Sequence, residues 1–431
     1  MRCAGGISMR SGRRSWEAGQ ALVITMVLLV FVLFAFLGFA VDLGRLYLIK
    51  GELHTAAETF ALAAANQLIG TNSADTAAAT AISTAQNADD SGDNRYNFAG
   101  TQIGSSGHLT SEIEDPQIFS TYNDATSGDS GATSDAASAR YARIIVRADA
   151  PLTFWQFLPV ARSGITSIET SAVAGISAPL CTVCGAPPLA IVQRDPNDAT
   201  DFGFLQGQKY TFYIQCTGAP PTALAGAPSD IQYTLLNRAL EDSSDPDQQI
   251  FELLAGGIPA PSFPVSGDSN LACPTIGTTE LRLPTVSVAA CTAAQRGTDA
   301  RDALCGLNAR LDPAPNPACS PITDVDTLIQ SFPPDTDIDS HDDYTDYAGN
   351  GRRILTVAIV DTIPFAVTGT MNVLGFRQFL LEPNPDATEL NPIDPVGRFV
   401  ALYIGSPAPV PQGQFGACGV TTGPGKVVLH Q

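Results

Sequence analysis

An uncharged apolar run, Ala21–Val41 (ALVITMVLLVFVLFAFLGFAV), constrains this chain more than any other feature. Its one clearly polar residue is Thr25. Twenty-one residues at a helical rise of about 1.5 Å cover about 30 Å, the hydrocarbon thickness of a bilayer. Lipid offers the backbone no hydrogen-bond partner, so a spanning segment must pair its own N–H and C=O groups, as a helix does. A secretory signal has a shorter apolar core and ends at a small-residue cleavage site. Here the run meets Asp42 and passes into a helical pattern, so it reads as a retained transmembrane helix.

Flanking charge sets the orientation. Arg2, Arg10, Arg13 and Arg14 precede the span, whereas only Arg45 and Lys50 follow it closely. The positive-inside rule then keeps the N-terminus in the cytoplasm and exports everything beyond Val41. From Thr55 onward the chain carries 40 acids and 17 bases, a net of −23. The whole chain of 431 residues has a net charge of −20. Such acidity repels phosphate backbones, which excludes nucleic acid as a partner. It also holds the exported part off an anionic membrane surface.

The cysteines agree with export. Cys3 lies on the cytoplasmic side; Cys181, Cys184, Cys216, Cys273, Cys291, Cys305, Cys319 and Cys418 lie beyond the span. An even set suits pairing in an oxidising compartment, although sequence alone leaves the connectivity open. Cys181-Thr-Val-Cys184 has redox-motif spacing. It sits between Pro179 and Pro187-Pro188, without the strand-to-helix setting of a thiol oxidoreductase, and reads as structural.

After a basic tail (1–20) and the span (21–41), residues 42–70 form a helical stalk. Leu43, Leu46, Ile49, Leu53, Ala57, Phe60, Ala64 and Leu68 recur at three- and four-residue steps. The stripe packs on its own domain or serves as a lever toward partner helices; Gly70 and Asn72 mark its end. Residues 71–140 are rich in Ala, Ser, Thr, Asp and Gly, most densely at Asp124–Ser138, and read as a flexible region. Residues 141–180 hold a strand pair: Tyr141–Ala148 and Ile165–Ile176 alternate in the manner of a hairpin. Residues 181–431 form a Cys- and Pro-rich domain. Its strand candidates are Pro188–Val192, Tyr210–Gln215, Ile354–Val360 and Phe399–Ile404. Residues 231–240 and 248–257 read as short helices, and 258–320 as Pro- and Cys-rich loops. The fold class is α+β: one transmembrane helix with a helical stalk, then an exported, β-rich, disulfide-stapled domain.

Enzyme signatures are absent. The chain has no H-E-x-x-H, G-x-S-x-G, P-loop or dinucleotide fingerprint. Gly128-Asp129-Ser130-Gly131 looks like a protease nucleophile loop, but it lies in low-complexity sequence without a histidine in a fitting context. No catalytic residue and no cofactor is assigned. One acidic segment stands out. Asp335, Asp337, Asp339, Asp343 and Asp346 fall at relative positions 1, 3, 5, 9 and 12, a calcium-loop spacing. Position 6 is Ser340 instead of glycine, and the last ligand is the shorter aspartate. The segment is read as a solvated acidic loop, with calcium binding as the alternative.

The N-terminal arrangement resembles the Tad (tight adherence) family of Flp pilus-assembly proteins, in its TadG-like group. The resemblance rests on Gly19-Gln20-Ala21, the apolar run, Ala40-Val41-Asp42-Leu43-Gly44-Arg45-Leu46-Tyr47, and a helix carrying Leu53-His54-Thr55-Ala56-Ala57-Glu58 and Ala61-Leu62-Ala63-Ala64-Ala65. Looser echoes are Thr170–Gly175, Gly351-Arg352-Arg353-Ile354, Val373–Phe376 and Phe379–Leu381. The resemblance implies a single-pass protein of the bacterial inner membrane, its C-terminal domain periplasmic or extracellular. It implies a structural role in a pilus-assembly or secretion apparatus, with other membrane and envelope proteins of that apparatus and the lipid bilayer as partners. Some family members carry a metal-dependent adhesion motif, D-x-S-x-S, which is missing here.

Two other functions are compatible with the sequence. One is an envelope-anchored adhesin or sensor with a calcium-stabilised acidic domain. The other is a pilin-like subunit processed after Gly12, where Glu17 follows at prepilin spacing but Arg13 and Arg14 argue against cleavage. If the acidic loop binds calcium, millimolar Ca²⁺ raises the thermal midpoint of the protein and Asp337→Ala abolishes the gain; an unchanged midpoint disposes of the site.

Overall fold

The computed structural model describes residues 14–86, 111–127, 131–152, 154, 165–214, 220–235, 246–256, 276, 280–282, 293–312, 314, 316–363, 370–383, 390–405 and 407–430. The chain divides into two compact units. One comprises Met1–Thr59, Gln86–Asp115 and Ile144–Ala172; the other comprises Phe60–Ala85, Pro116–Arg143 and Val173–Gln431.

Helix α1 (Arg14–Ala65) is 52 residues long and uninterrupted. No proline breaks it, so the i to i−4 ladder runs unbroken from the apolar run into the stalk. At about 1.5 Å per residue it extends nearly 80 Å. In the first unit its large apolar side chains from Leu22 to Leu48 face outward, and burial begins at Ile49 and Leu53. The stripe expected over 43–68 is therefore buried only in its lower part; Leu43 is 47% exposed. The helix stops at Ala65, and Gly70 takes a φ of +91° in the turn that follows, a conformation only glycine adopts cheaply.

Part of the region read as flexible is ordered. Helix α2 (Ala74–Gln86) buries Ala74, Ala78 and Ile82, an i, i+4, i+8 stripe hidden in Ala/Thr-rich sequence. Strands β1 (Ser111–Ile113) and β2 (Gln117–Phe119) and helix α3 (Tyr122–Ser127) also fall within 71–140. The strand pair appears as expected. Strands β3 (Tyr141–Pro151) and β4 (Ile165–Ile176) are neighbours in a five-stranded sheet. β1 and β2 both pair antiparallel with β3, and β14 (Val427–His430) pairs antiparallel with β4. In the first unit Arg147 bridges Glu114 at 2.6 Å and Glu169 at 2.8 Å.

The second unit contains the main core. Its strands are β6 (Leu189–Val192), β7 (Lys209–Tyr213), β8 (Ser229–Leu235), β10 (Ile354–Val360), β11 (Thr370–Glu382) and β12 (Phe399–Tyr403). They follow the order β10-β6-β8-β7-β12-β11, and β11 pairs again with β10. The sheet thus closes into a six-stranded barrel, which leaves no free edge among these strands. The short β9 (Glu280–Arg282) extends β11 beyond the ring, and β5 (Thr182–Cys184) and β13 (Gln412–Gln414) form a separate antiparallel pair. Leu189, Ile191, Leu355, Val357, Ile359, Phe379 and Tyr403 alternate into one core with Phe212 and Phe399. The other faces of β6 and β10 put Ala190, Ala358 and Val360 into a second cluster. Burial on both faces explains why ILTVAIV is apolar at every position but Thr356, whose hydroxyl accepts the Gln378 amide N–H, instead of alternating.

Residues 231–240, read as a helix, begin instead as strand β8. Ile231, Tyr233 and Leu235 are buried at period two and Gln232 lies between them, a strand pattern that the following LLNRAL disguises. Helix α4 (Pro246–Gly256) matches the expected helix. The loop region 258–320 contains a further helix, α5 (Ala293–Asn308), which buries Ala300, Ala303, Leu304 and Leu307 beside Leu253 and Leu254 of α4. Helix α6 (Val325–Ser331) and α5 join a smaller cluster tied by the Cys305–Cys319 disulfide.

At the α4–α5 contact Asp302 is fully buried and pairs with Arg301 at 2.6 Å, while Arg301 reaches Asp247 at 3.4 Å. Burial pushes the Asp302 carboxyl up to about 7, against the pull of Arg301 and with a further push from Asp247. The folded state then holds a proton that the unfolded chain releases near pH 4, so stability falls as pH rises between about 4 and 7. Denaturant titrations at pH 5 and pH 8 are expected to show the wild type losing on the order of 2 kcal/mol more than Asp302→Asn across that interval.

Candidate functional site

Two features of α1 bear on function. The first is the exposed apolar surface. Almost none of its apolar run is buried against protein. Phe31, Phe34 and Leu37 are 71%, 69% and 62% exposed. A water-soluble core helix hides such residues, and an apolar surface of this extent marks a membrane or partner contact. The second is the end of the run. Asp42 stands where water would be expected, yet it is only 4% exposed. Its Oδ2 accepts the backbone N–H of Phe154 at 2.9 Å, within the same unit. Beyond it Tyr47 and Leu48 are 80% and 67% exposed.

The acidic loop lies in the second unit and is organised around a buried arginine. Arg353 is 0% exposed. Its Nη1 donates to the carbonyls of Asp337 at 2.6 Å and Asp339 at 2.7 Å, and its Nε to that of Leu381 at 2.6 Å. Its Nη2 lies 3.4 Å from Oε1 of buried Glu382. Asp335 Oδ2 accepts the Tyr347 hydroxyl at 2.6 Å and the Arg353 N–H at 2.9 Å. Gly349 has no room for a Cβ, which would run into Asp335 Oδ1. Clustered acids need a nearby cation, and this loop has one from within the chain.

The five aspartates of the calcium-like spacing are not treated alike. Asp335 is buried in that network. Asp337 accepts Ala348 N–H at 2.8 Å and lies 3.2 Å from His341 Nε2. Burial pushes the Asp337 carboxyl up, but the Ala348 N–H and His341 outweigh it and hold it below the ordinary aspartate range. Asp339 donates its N–H to Asp337 and gives its carbonyl to Arg353. Asp343 caps a short 3₁₀ turn through Thr345 N–H at 3.0 Å, and Asp346 meets Asn72 Nδ2 at 3.4 Å. Among the described residues no group of three or more His, Cys, Asp or Glu side chains is placed to hold a metal ion. Burial raises Glu382, opposed by the His341 N–H, Arg353 and Lys209. The acids are legible from their spacing, whereas Gly351-Arg352-Arg353-Ile354 stands out only as a family echo. A basic pair just before a nearly all-apolar strand is the signal for the buried arginine.

The two cysteines of the redox-like spacing do not bond to each other. Cys181 bonds Cys418 across 237 residues, and Cys184 is also in a disulfide. Cys3, Cys216, Cys273 and Cys291 lie outside the described residues, as do Gly12 and Gly128-Asp129-Ser130. A cleft of ≈ 410 Å³ in the second unit is lined by Arg140, Asp201, Arg377 and Tyr403. Its polar groups serve one another. Tyr403 donates to Asp201 at 2.5 Å, and Arg377 lies 4.5 Å over the Phe202 ring and bonds Thr200 O and Thr422 Oγ1.

Residues 19–67 match the Tad family model, described as Flp pilus-assembly TadE/G-like. The match covers the apolar surface, Asp42 and the buried end of α1. No curated protein and no solved structure matches the chain.

Truncating the buried cation tests the loop. Arg353→Met leaves Glu382 and three carbonyls without their partner and is expected to cost about 3–5 kcal/mol by urea denaturation. Adding Glu382→Gln recovers part of that loss, because no buried charge is then stranded.

Proposed function

We propose that the chain is a single-pass, membrane-anchored structural component of a Flp pilus-assembly apparatus. One observation carries this reading: the segment matched by the Tad family is one unbroken helix, apolar and exposed at one end and buried in folded protein at the other. Such a helix ties a domain to a bilayer. The surplus of arginines before the span supports a cytoplasmic N-terminus and an exported remainder. The Cys181–Cys418 and Cys305–Cys319 bonds support an oxidising compartment beyond the inner membrane. Tyr47 and Leu48, exposed past Asp42, offer a face to other membrane proteins of the apparatus. The role is to hold and position, with no catalytic step.

Cell fractionation with an alkaline carbonate wash tests the anchor. The wild type is expected in the membrane pellet. Leu29→Arg with Phe34→Arg, each costing about 2.5–3.5 kcal/mol of insertion, releases it. A photo-crosslinker at Tyr47 or Leu48 is expected to capture other pilus-assembly membrane proteins. An intact wild-type chain in the cytosol, with its thiols free, overturns the reading.

A further inference from the structure

The chain leaving β3 returns to α1 where the apolar surface ends. A Cβ on Gly38 would lie 2.8 Å from the Cβ of Phe154, so this helical position accepts the phenylalanine only because it is glycine. The Phe154 N–H is bound by the Asp42 carboxylate one turn further on. Phe39, Leu43, Leu46, Leu152 and Thr166 line a recess of ≈ 160 Å³ around this junction. Phe154 and Leu43 are each 47% exposed. The junction is therefore fixed by a hydrogen bond and a close backbone approach, and among the described residues it leaves apolar surface exposed.

Its depth follows from the span. Gly38 lies three residues, or about 5 Å, inside the end of the apolar run at Val41. A ring packed beside Gly38 shares that depth. We propose that Leu152 and Phe154 make a second membrane contact, seated at the boundary between acyl chains and headgroups on the exported side. The proposal rests on the membrane-anchor reading of α1. Its occupant is lipid, because the exposed faces of Phe154 and Leu43 continue the apolar surface of the helix. Phenylalanine is among the side chains that bury into the headgroup/acyl boundary of a membrane surface. Asp42 is then a latch: it binds the backbone of the inserted segment instead of facing water. A helix held in this way cannot rotate or slide by a residue without breaking the Asp42–Phe154 bond.

The full chain, reconstituted into phosphatidylcholine–phosphatidylglycerol vesicles, tests this by lipid quenching. In a Trp16→Phe, Trp155→Phe background, Phe154→Trp supplies a single reporter and Phe34→Trp a mid-span control. Lipids brominated near the headgroup end of the acyl chain are expected to cut the emission of the position-154 reporter roughly twofold, and lipids brominated near the far end of the acyl chain that of the mid-span control. Asp42→Ala is expected to weaken that quenching, while Asp42→Asn, which keeps an acceptor oxygen, retains it. Quenching of the control but not of the position-154 reporter overturns the inference and leaves the anchor standing. Quenching of neither overturns the anchor and the inference together.

Discussion

Everything in this protein follows from the backbone's need for hydrogen-bond partners where water is missing. In lipid a helix is the simplest segment that satisfies every N–H and C=O from within. Helix α1 meets that requirement from within over all 52 of its residues and contains no proline. That self-sufficiency explains why the same helix can change its surroundings along its length. Its backbone needs nothing from outside, so only the side chains have to match. Phe31 and Phe34 face outward, while Ile49 and Leu53 are buried in protein.

The second unit answers the same requirement with a different device. Its barrel strands meet their backbone needs by closing β10 against β11, so β6, β8, β7 and β12 all lie between partners. Closure permits the aromatic interior. Phe212 meets Phe379 with centroids 5.2 Å apart and stacks on Phe399 at 4.7 Å. A residue on any of three strands then depends on the same few rings. The Cys181–Cys418 bond spans 237 residues of this unit, closing a long loop of the unfolded chain, where a covalent link restricts conformational freedom most.

Arg353 shows how charge is handled in a chain with few bases. The chain has 43 acids against 23 bases, and one of those bases is wholly buried. It gathers the carbonyls of Asp337, Asp339 and Leu381 and sits beside Glu382. Carbonyl oxygens, more than carboxylates, face the cation. The carboxylates of the acidic run mostly cap nearby N–H groups, as Asp343 does for Thr345. The calcium-like spacing thus coincides with a run of short turns, each of which favours aspartate for local reasons.

The sequence by itself determined the apolar helix, its continuation into the stalk, the β3–β4 pair and four of the barrel strands. Each of these is written in local periodicity: a long apolar run, a three-to-four step, an alternation, a heptad with a single polar residue. It did not reveal α2, whose buried stripe is mostly alanine, too small to stand out from the polar residues around it, nor α5, whose Ala300, Ala303, Leu304 and Leu307 lie in a stretch with charged neighbours such as Arg301 and Asp302. Nor did it place β8 correctly, since period two over Ile231–Leu235 was masked by the residues that follow. The closure of the barrel, the partners of Cys181 and Cys305, the Asp42–Phe154 latch and the burial of Arg353 were decided by tertiary structure alone. The bonded partners lie 14 to 237 residues apart in the disulfides and 112 at the latch. Local pattern carries no record of which distant group will supply the missing hydrogen bond or charge.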